Sequence, residues 1–410
     1  MRTAITNVNI WTGDGQVIEN GRVETENGVI VEVAQGGTST AETVFDGDGR
    51  WLIPGLVDSH LHLWGVRSSN PANWVTDPMD IRPFRIVKDL EKVLRAGFTT
   101  VREAGGQLGP AIRDAIEEGS IIGPRVHPAW LGLSSTGGHG DCHSLPIEWV
   151  RERPYMAQIA DGVDEVRRAV RNVARHGGAW VKIWASGAIA MSENDAPDQL
   201  HYSVDELKVI VEEAHALGMK VGAHVEFPSA IHACLDAGVD SVEHGFILDE
   251  DVIARLIEQN VPVVTTMALL RRYLRWEGPE ITPEQMEMAR ELLPRIQASA
   301  KLAYDRGVTL AMGSDSFAEP LTPFGANAEE LLALAEAGVP NEGCLKAATV
   351  NGAKVLGMED KVGSIAPGRY ADALLLGRVS PVDDIAQVAD PANISGVFKG
   401  GVPVLDTYRV

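Results

Sequence analysis

Two histidines, His60 and His62, stand two residues apart at the end of the run Leu56-Val57-Asp58-Ser59-His60-Leu61-His62. On an extended segment, residues i and i+2 face the same side, so both imidazoles can reach one cation. Taken alone, a His-x-His is better explained by two hydrogen-bonded or solvent-facing histidines. Lys182 lies within Ala179-Trp180-Val181-Lys182-Ile183-Trp184, an otherwise apolar run where an unpaired ammonium is costly. Burial favours the neutral amine, which can add carbon dioxide and become a carbamate, an anion whose two oxygens can bridge two metals. A lysine salt-bridged in the interior is the alternative. His224 closes the run KVGAH, His244 closes SVEH and Asp315 closes TLAMGSD. Each taken singly could be a core residue, but histidines ending two successive runs, with a lysine and a carboxylate on two more, are hard to explain as packing.

Imidazole and carboxylate suit divalent first-row ions, zinc foremost. A charge count favours two such ions: their four positive charges meet one negative charge each from the carbamate, Asp315 and a bridging hydroxide. Such a pair acidifies the shared water and polarises a carbonyl, while Asp315 takes the proton and passes it to the leaving group. The chemistry implied is hydrolysis.

These residues need a frame that brings run ends together. From Met1 to about Leu52 the chain alternates in short runs broken by Gly, Asp and Asn, the pattern of antiparallel strands and tight turns. After Pro54-Gly55, short apolar runs alternate with segments of helical period such as VDEVRRAVRNVARHG and SVDELKVIVEEAHALG. Eight strands, each followed by a helix, predict an α/β fold closed as a (β/α)8 TIM barrel, with the reacting groups where strands end. The last fifty or so residues return to strand and turn. The expected division is a barrel over residues 56–356 and a small accessory β-sandwich made by both chain ends, 1–55 and 357–410.

With 410 residues, 45% of them hydrophobic, the chain can bury a full core. The formal net charge of -21, from 57 acidic and 36 basic residues, argues against nucleic acid and anionic membranes as partners and leaves a small molecule as the expected one. No signal peptide is read at the start, and no run reaches the roughly 18 apolar residues of a membrane span. Cys142, Cys234 and Cys344 show no paired spacing, so a reducing cytoplasm is the expected location.

As a set, the residues resemble the amidohydrolase superfamily: HxH after strand one, Lys after strand four, His after strands five and six, Asp after strand eight. The resemblance covers nearly the whole chain and includes LIPGLVDSHLH, VGSIAPGRYADALLL and ATVNGAKVLG. The phrases TGGHGD, VKIWASG, EEAHALGMKVGAH and AGVDSVEHG are most similar to the branch of prolidase-like and other Xaa-amino-acid dipeptidases, close to imidazolonepropionase-like sequences. That branch implies cleavage of an amide bond in a small N-acyl amino acid or dipeptide. It also implies that His60 and His62 hold a buried cation, that His224 and His244 hold a more exposed one, that carboxylated Lys182 bridges them, and that Asp315 acts as ligand and base. In TGGHGD, His139 would polarise the scissile carbonyl, with glycines permitting close approach. His143 is a further substrate-binding candidate. Barrels of this kind associate into symmetric oligomers, so a homo-oligomer is expected.

The chain departs from the branch where relatives carry an aromatic hydroxyl two residues after the strand-five histidine, because Glu226 stands there. It departs again where a His-Gly-x-Asn phrase is expected, which here reads Phe324-Gly325-Ala326-Asn327. Both positions face substrate in the family. Arg271, Arg272 and Arg275, after strand seven, offer a replacement clamp for a substrate carboxylate, although helix-surface arginines are usually only solvated. Trp64, Trp130 and Trp184 are candidates to wall a bulky pocket, with packing an equal explanation for Trp184. Structural roles are expected for His127, His176, His201, His215 and His232. The same site could also cut a lactone, carbamate, ester or phosphotriester. Ring deamination, which needs neither a second metal nor Lys182, is less expected, as is a non-catalytic scaffold, because every ligand position is filled.

Overall fold

The computed structural model describes residues 1–143, 145–152, 154, 156–189, 195–278 and 280–408. At its centre are parallel strands alternating with helices. The strand Leu56–Val66 is buried at every position, as expected for a parallel strand covered on both faces. It pairs with Phe98–Glu103, which pairs with Arg125–Pro128; on its other side lies the short strand Ser316–Ala318. A second parallel sheet runs Leu310–Met312, Val263–Thr265, Ser241–His244, Lys220–Val225, Trp180–Trp184, Gly132–Ser134 and Ala157–Ile159.

The third strand expected from sequence is thus split between the two sheets at residues 129–131. Trp130 there has a φ of 58°, in the left-handed region that a bulky residue rarely adopts, and the strand breaks at it. The sheets also approach each other at Asp315, whose backbone N–H donates to the His60 carbonyl at 2.8 Å.

The helices follow from their sequences. Val163–Arg175 has Asp164 and Glu165 in its first turn, Arg175 in its last, and buries Val166, Ala169, Val170 and Val173 on one stripe. Val204–Ala216 opens with a capping box between Ser203 and Glu206.

Both chain ends meet in one continuous hydrogen-bonded sheet. Its order is Val402–Pro403, Gly396–Lys399, Ala373–Leu375, Thr43–Pro54, Arg2–Trp11, Val17–Glu26 and Val29–Gln35. The reason is Thr43–Pro54, which pairs parallel to Arg2–Trp11 on one edge and antiparallel to Ala373–Leu375 on the other. Only Gly55 separates this strand from Leu56–Val66, and a Cβ at Gly55 would come within 2.1 Å of the Thr99 side chain. All three cysteines are buried and free. Among the described residues, no helix is long and apolar enough to cross a membrane.

Candidate metal centre and substrate cavity

The strand ends bring together His60, His62, Lys182, His224, His244 and Asp315, which line one cavity. Ring centroids lie 5.3 Å apart for His60 and His62, 4.9 Å for His60 and His244, and 4.5 Å for His224 and His244. Asp315 Oδ1 is 3.4 Å from His62 Nε2 and 3.8 Å from His60 Nε2, and donor atoms of these three residues fall within 4.8 Å of one another. His244 and Asp315 have positive φ angles of 70° and 49°. Non-glycine residues held there cost about 1–3 kcal/mol each and concentrate at functional sites.

One nitrogen of each imidazole is engaged from behind. His60 Nδ1–H donates to Glu243 Oε2 at 2.8 Å. The other Glu243 oxygen accepts from Arg102 and from Ser241 Oγ, and the Arg102 guanidinium lies 4.0 Å over the Trp180 ring. His62 Nδ1 faces the Gly105 carbonyl at 3.4 Å, and His244 Nδ1 lies 2.7 Å from Thr266 Oγ1. In His224 it is Nε2 that faces a carbonyl, that of Gly187, at 3.4 Å. In His60 and His62 the opposite nitrogen, Nε2, turns toward Asp315, so the ring is fixed from behind and presents its other nitrogen to the carboxylate, the usual arrangement of metal-binding histidines. Asp58 ties the first strand to the last: Oδ1 accepts from the backbone of His60 and of Ser314, both at 3.1 Å, and Oδ2 accepts from Asn327 Nδ2 at 2.7 Å.

Burial holds the His60 and His224 imidazoles well below their ordinary range, lowers His62, and brings His244 down to about 3. All four are therefore neutral near pH 7, the form that ligates metal. Burial raises the Asp315 carboxyl, but the His62 hydrogen bond and the nearby His60 and His244 rings outweigh it and keep the group ionised. Lys182 is 1% exposed, and burial lowers its amine to about 8. Its one polar contact among the described residues is His60 Nε2 at 3.5 Å, with no carboxylate in ion-pairing range. The salt-bridged lysine considered from sequence is therefore not what the structure contains. Neutral imidazoles with a free nitrogen, an ionised carboxylate and an unpaired buried amine fit divalent cations.

The His139 ring lines the cavity and stacks on His224, centroids 4.5 Å apart and planes 13° apart. Glu226 also lines it; burial pushes its carboxyl well above the usual range, and Oε2 accepts from the Ile189 N–H at 2.9 Å. Around these polar groups the walls are apolar, with Trp64, Trp74, Trp184, Phe246, Tyr273 and Phe317.

Several expected substrate contacts are elsewhere. His143 is exposed and donates from Nε2 to the Gly138 carbonyl. Arg271 bonds Glu336 and the Glu329 carbonyl, and Arg272 bonds the Glu329 carboxylate and the Ala326 carbonyl. The helix Ala268–Arg275 turns Leu269, Leu270 and Tyr273 to the cavity, so the arginines point to the helix Glu329–Glu336; Arg275 is exposed. Phe324, 4% exposed, packs in the main apolar core, and Phe317 occupies the cavity wall in its place. Asn327 serves Asp58, not substrate. Trp130 stacks on His176 at 3.9 Å, away from the cavity.

Sequence reasoning missed Glu243, Arg102, Asp195, Trp74 and Phe317. A carboxylate and a guanidinium inside otherwise apolar strands were the available signal for the first two; His201, expected to be structural, holds the His139 backbone at 3.1 Å.

The amidohydrolase family profile matches residues 51–404. The chain belongs to the amidohydrolase family. It is 34% identical over 368 residues to ochratoxinase of Aspergillus niger, covering 85% of this chain and 75% of that relative. The crystal structure of A. niger ochratoxinase superposes with a TM-score of 0.89 at 30% identity, covering 98% of this chain and 95% of the other. A prolidase complexed with N-methylphosphonate-L-proline gives a TM-score of 0.89 at 30% identity over 98% of this chain and 99% of the other. A Xaa-Pro dipeptidase with bound methionine gives 0.86 at 26% identity, over 98% and 99%. As a member of this family the chain is a hydrolase acting on carbon–nitrogen bonds.

Proposed function

We propose that this amidohydrolase uses two divalent cations, zinc foremost, to cleave the amide bond of a small N-acyl amino acid or dipeptide-like substrate bearing a bulky apolar group. The frame in this reading is a (β/α)8 barrel over residues 56–356, with an accessory β unit from 1–55 and 357–410. His60 and His62 would hold one cation and His224 and His244 the other, with Asp315 at the first. Lys182, by adding carbon dioxide to its neutral Nζ and releasing one proton, would supply a carbamate as a further anionic ligand. When bound, the cations supply an acidified water and polarise the scissile carbonyl. Asp315 accepts the water's proton and returns it to the leaving nitrogen, and His139 orients the carbonyl oxygen.

The observation that carries this reading is Lys182, buried, lowered to about 8 and with no carboxylate in ion-pairing range, beside four neutral imidazoles. An unpaired buried cation would be costly, whereas a carbamate is stabilised by the cations it joins. The apolar walls support a bulky acyl or amino-acid side chain, and the names of ochratoxinase and the prolidases are consistent with an amide substrate. Among the described residues no arginine lines the cavity, so the reading includes no guanidinium clamp on a substrate carboxylate.

The test is a profile of one metal-replete preparation against N-aroyl amino acids, N-acetyl amino acids, apolar dipeptides and aryl esters. The N-aroyl amino acids should give the highest kcat/KM. Turnover of esters without any amide would overturn the assignment.

A further inference from the structure

His139 reaches the cavity from a loop, where a side chain needs support to hold one orientation. That support comes from a residue 56 positions further along the chain: Asp195, 3% exposed, places Oδ2 2.5 Å from His139 Nδ1. The backbone N–H of His139 donates to His201 Nδ1 at 3.1 Å, so that nitrogen is unprotonated and a neutral His201 carries its proton on Nε2. His201 Nε2 in turn lies 3.7 Å from Asp195 Oδ1, and both atoms are buried without a hydrogen-bond partner. One carboxylate thus faces two imidazoles, one of them stacked on His224.

We infer that Asp195 is a positioning residue for the reaction: it fixes the ring plane of His139 through its Nδ1 proton, while His201 holds the backbone beneath it. A carboxylate accepts only, so the shared proton belongs to His139 Nδ1; donation from Nε2 to a substrate oxygen then takes a second ring proton, and the Asp195 carboxylate is the counter-charge to the imidazolium that results. A residue kept here for packing alone would be apolar, because a buried carboxylate is costly unless its partner repays the desolvation. The inference rests on the assignment of His139 to the substrate carbonyl made above.

The experiment is a double-mutant cycle on the metal-replete enzyme, with kcat and KM measured for Asp195→Ala, Asp195→Asn, His139→Ala and the pair Asp195→Ala/His139→Ala. Loss of an orienting partner is expected to lower kcat about 10–100-fold while KM moves by less than about threefold. Asn keeps an acceptor but not the charge, so Asp195→Asn should fall between Ala and wild type with an unchanged Tm. The pair should be no slower than His139→Ala alone, because Asp195 acts through His139. Independently of activity, a hydrogen-bonded His139 Nδ1 proton should appear in the NMR spectrum of the wild type and vanish in Asp195→Ala.

Asp195 variants within about twofold of wild type in kcat, losses that multiply in the pair, or an Nδ1 proton that survives Asp195→Ala would each overturn the inference. A wild type that cleaves no amide would instead refute the proposed function, leaving the proton signal to decide the geometry. If Asp195→Ala does not fold, Asp195→Asn and the proton signal decide.

Discussion

Glu243 supports the centre one bond behind the residues that do the chemistry. It takes a hydrogen bond from His60 on one oxygen and from Arg102 and Ser241 on the other, with no exposure to solvent. Glu243→Gln leaves Arg102 as an uncompensated buried charge, which is expected to lower stability by about 3–5 kcal/mol. The same change should weaken cation binding about 10–100-fold by loosening His60. Urea unfolding of the metal-free protein and metal titration check the two effects separately; a variant equal to wild type in both would show that the network is incidental.

His60, His62, His224, His244 and Asp315 were legible as one group because each ends an apolar run, and Lys182 because it interrupts one. Their supports were not, since Glu243 and His60 are 183 residues apart and His139 and Asp195 are 56 apart, and pairing across such distances is set by the fold. Arg271, Arg272 and Phe324 were misplaced because sequence position after a strand does not say which face of the next element a side chain takes.

Elements act here through close approach. A Cβ at Gly313 would sit 2.5 Å from the Cβ of His60, so the last parallel strand can lie against the first only because residue 313 has no side chain. Gly313→Ala is expected to displace His60 and reduce cation affinity by about tenfold or more, since ligand geometry tolerates only a few tenths of an ångström. Retention of wild-type metal affinity in this variant would contradict the argument.

The strand Ser316–Ala318, paired to Leu56–Val66, sets Phe317 5.3 Å from Trp64 and 5.9 Å from Trp74. Phe317→Ala should raise KM for N-aroyl substrates about 2–10-fold, with little change for N-acetyl ones. Equal effects on both would remove Phe317 from specificity. Period and capping made the helices readable from sequence, but the break in the third strand at Trp130 was not, because a left-handed non-glycine residue leaves no sequence signature.

On the scale of the whole molecule, the joining of both chain ends was legible from the return of strand-and-turn text. Their arrangement as one sheet was not, because it depends on Thr43–Pro54 pairing on both edges. The fold also keeps imidazoles neutral away from the centre: burial lowers His127 from 6.5 to about 4. The unfolded chain gains that proton first as pH falls, so stability is lost between pH 6.5 and about 4 and is flat above. His127→Asn should remove up to about 3 kcal/mol of that decline, as read by urea unfolding of the metal-free protein at both ends of the window. A decline as steep as that of the wild type would show that His127 protonates freely in the native state.

The central claim is that Lys182 becomes a carbamate joining two cations. The most direct measurement is a carbon-13 NMR spectrum of protein reconstituted with zinc and labelled bicarbonate, taken together with its metal content. The account predicts a carbamate carbon signal and two metal equivalents per chain, with the signal absent and activity lost in Lys182→Ala. One metal per chain, no carbamate carbon, and full activity in Lys182→Ala would contradict it.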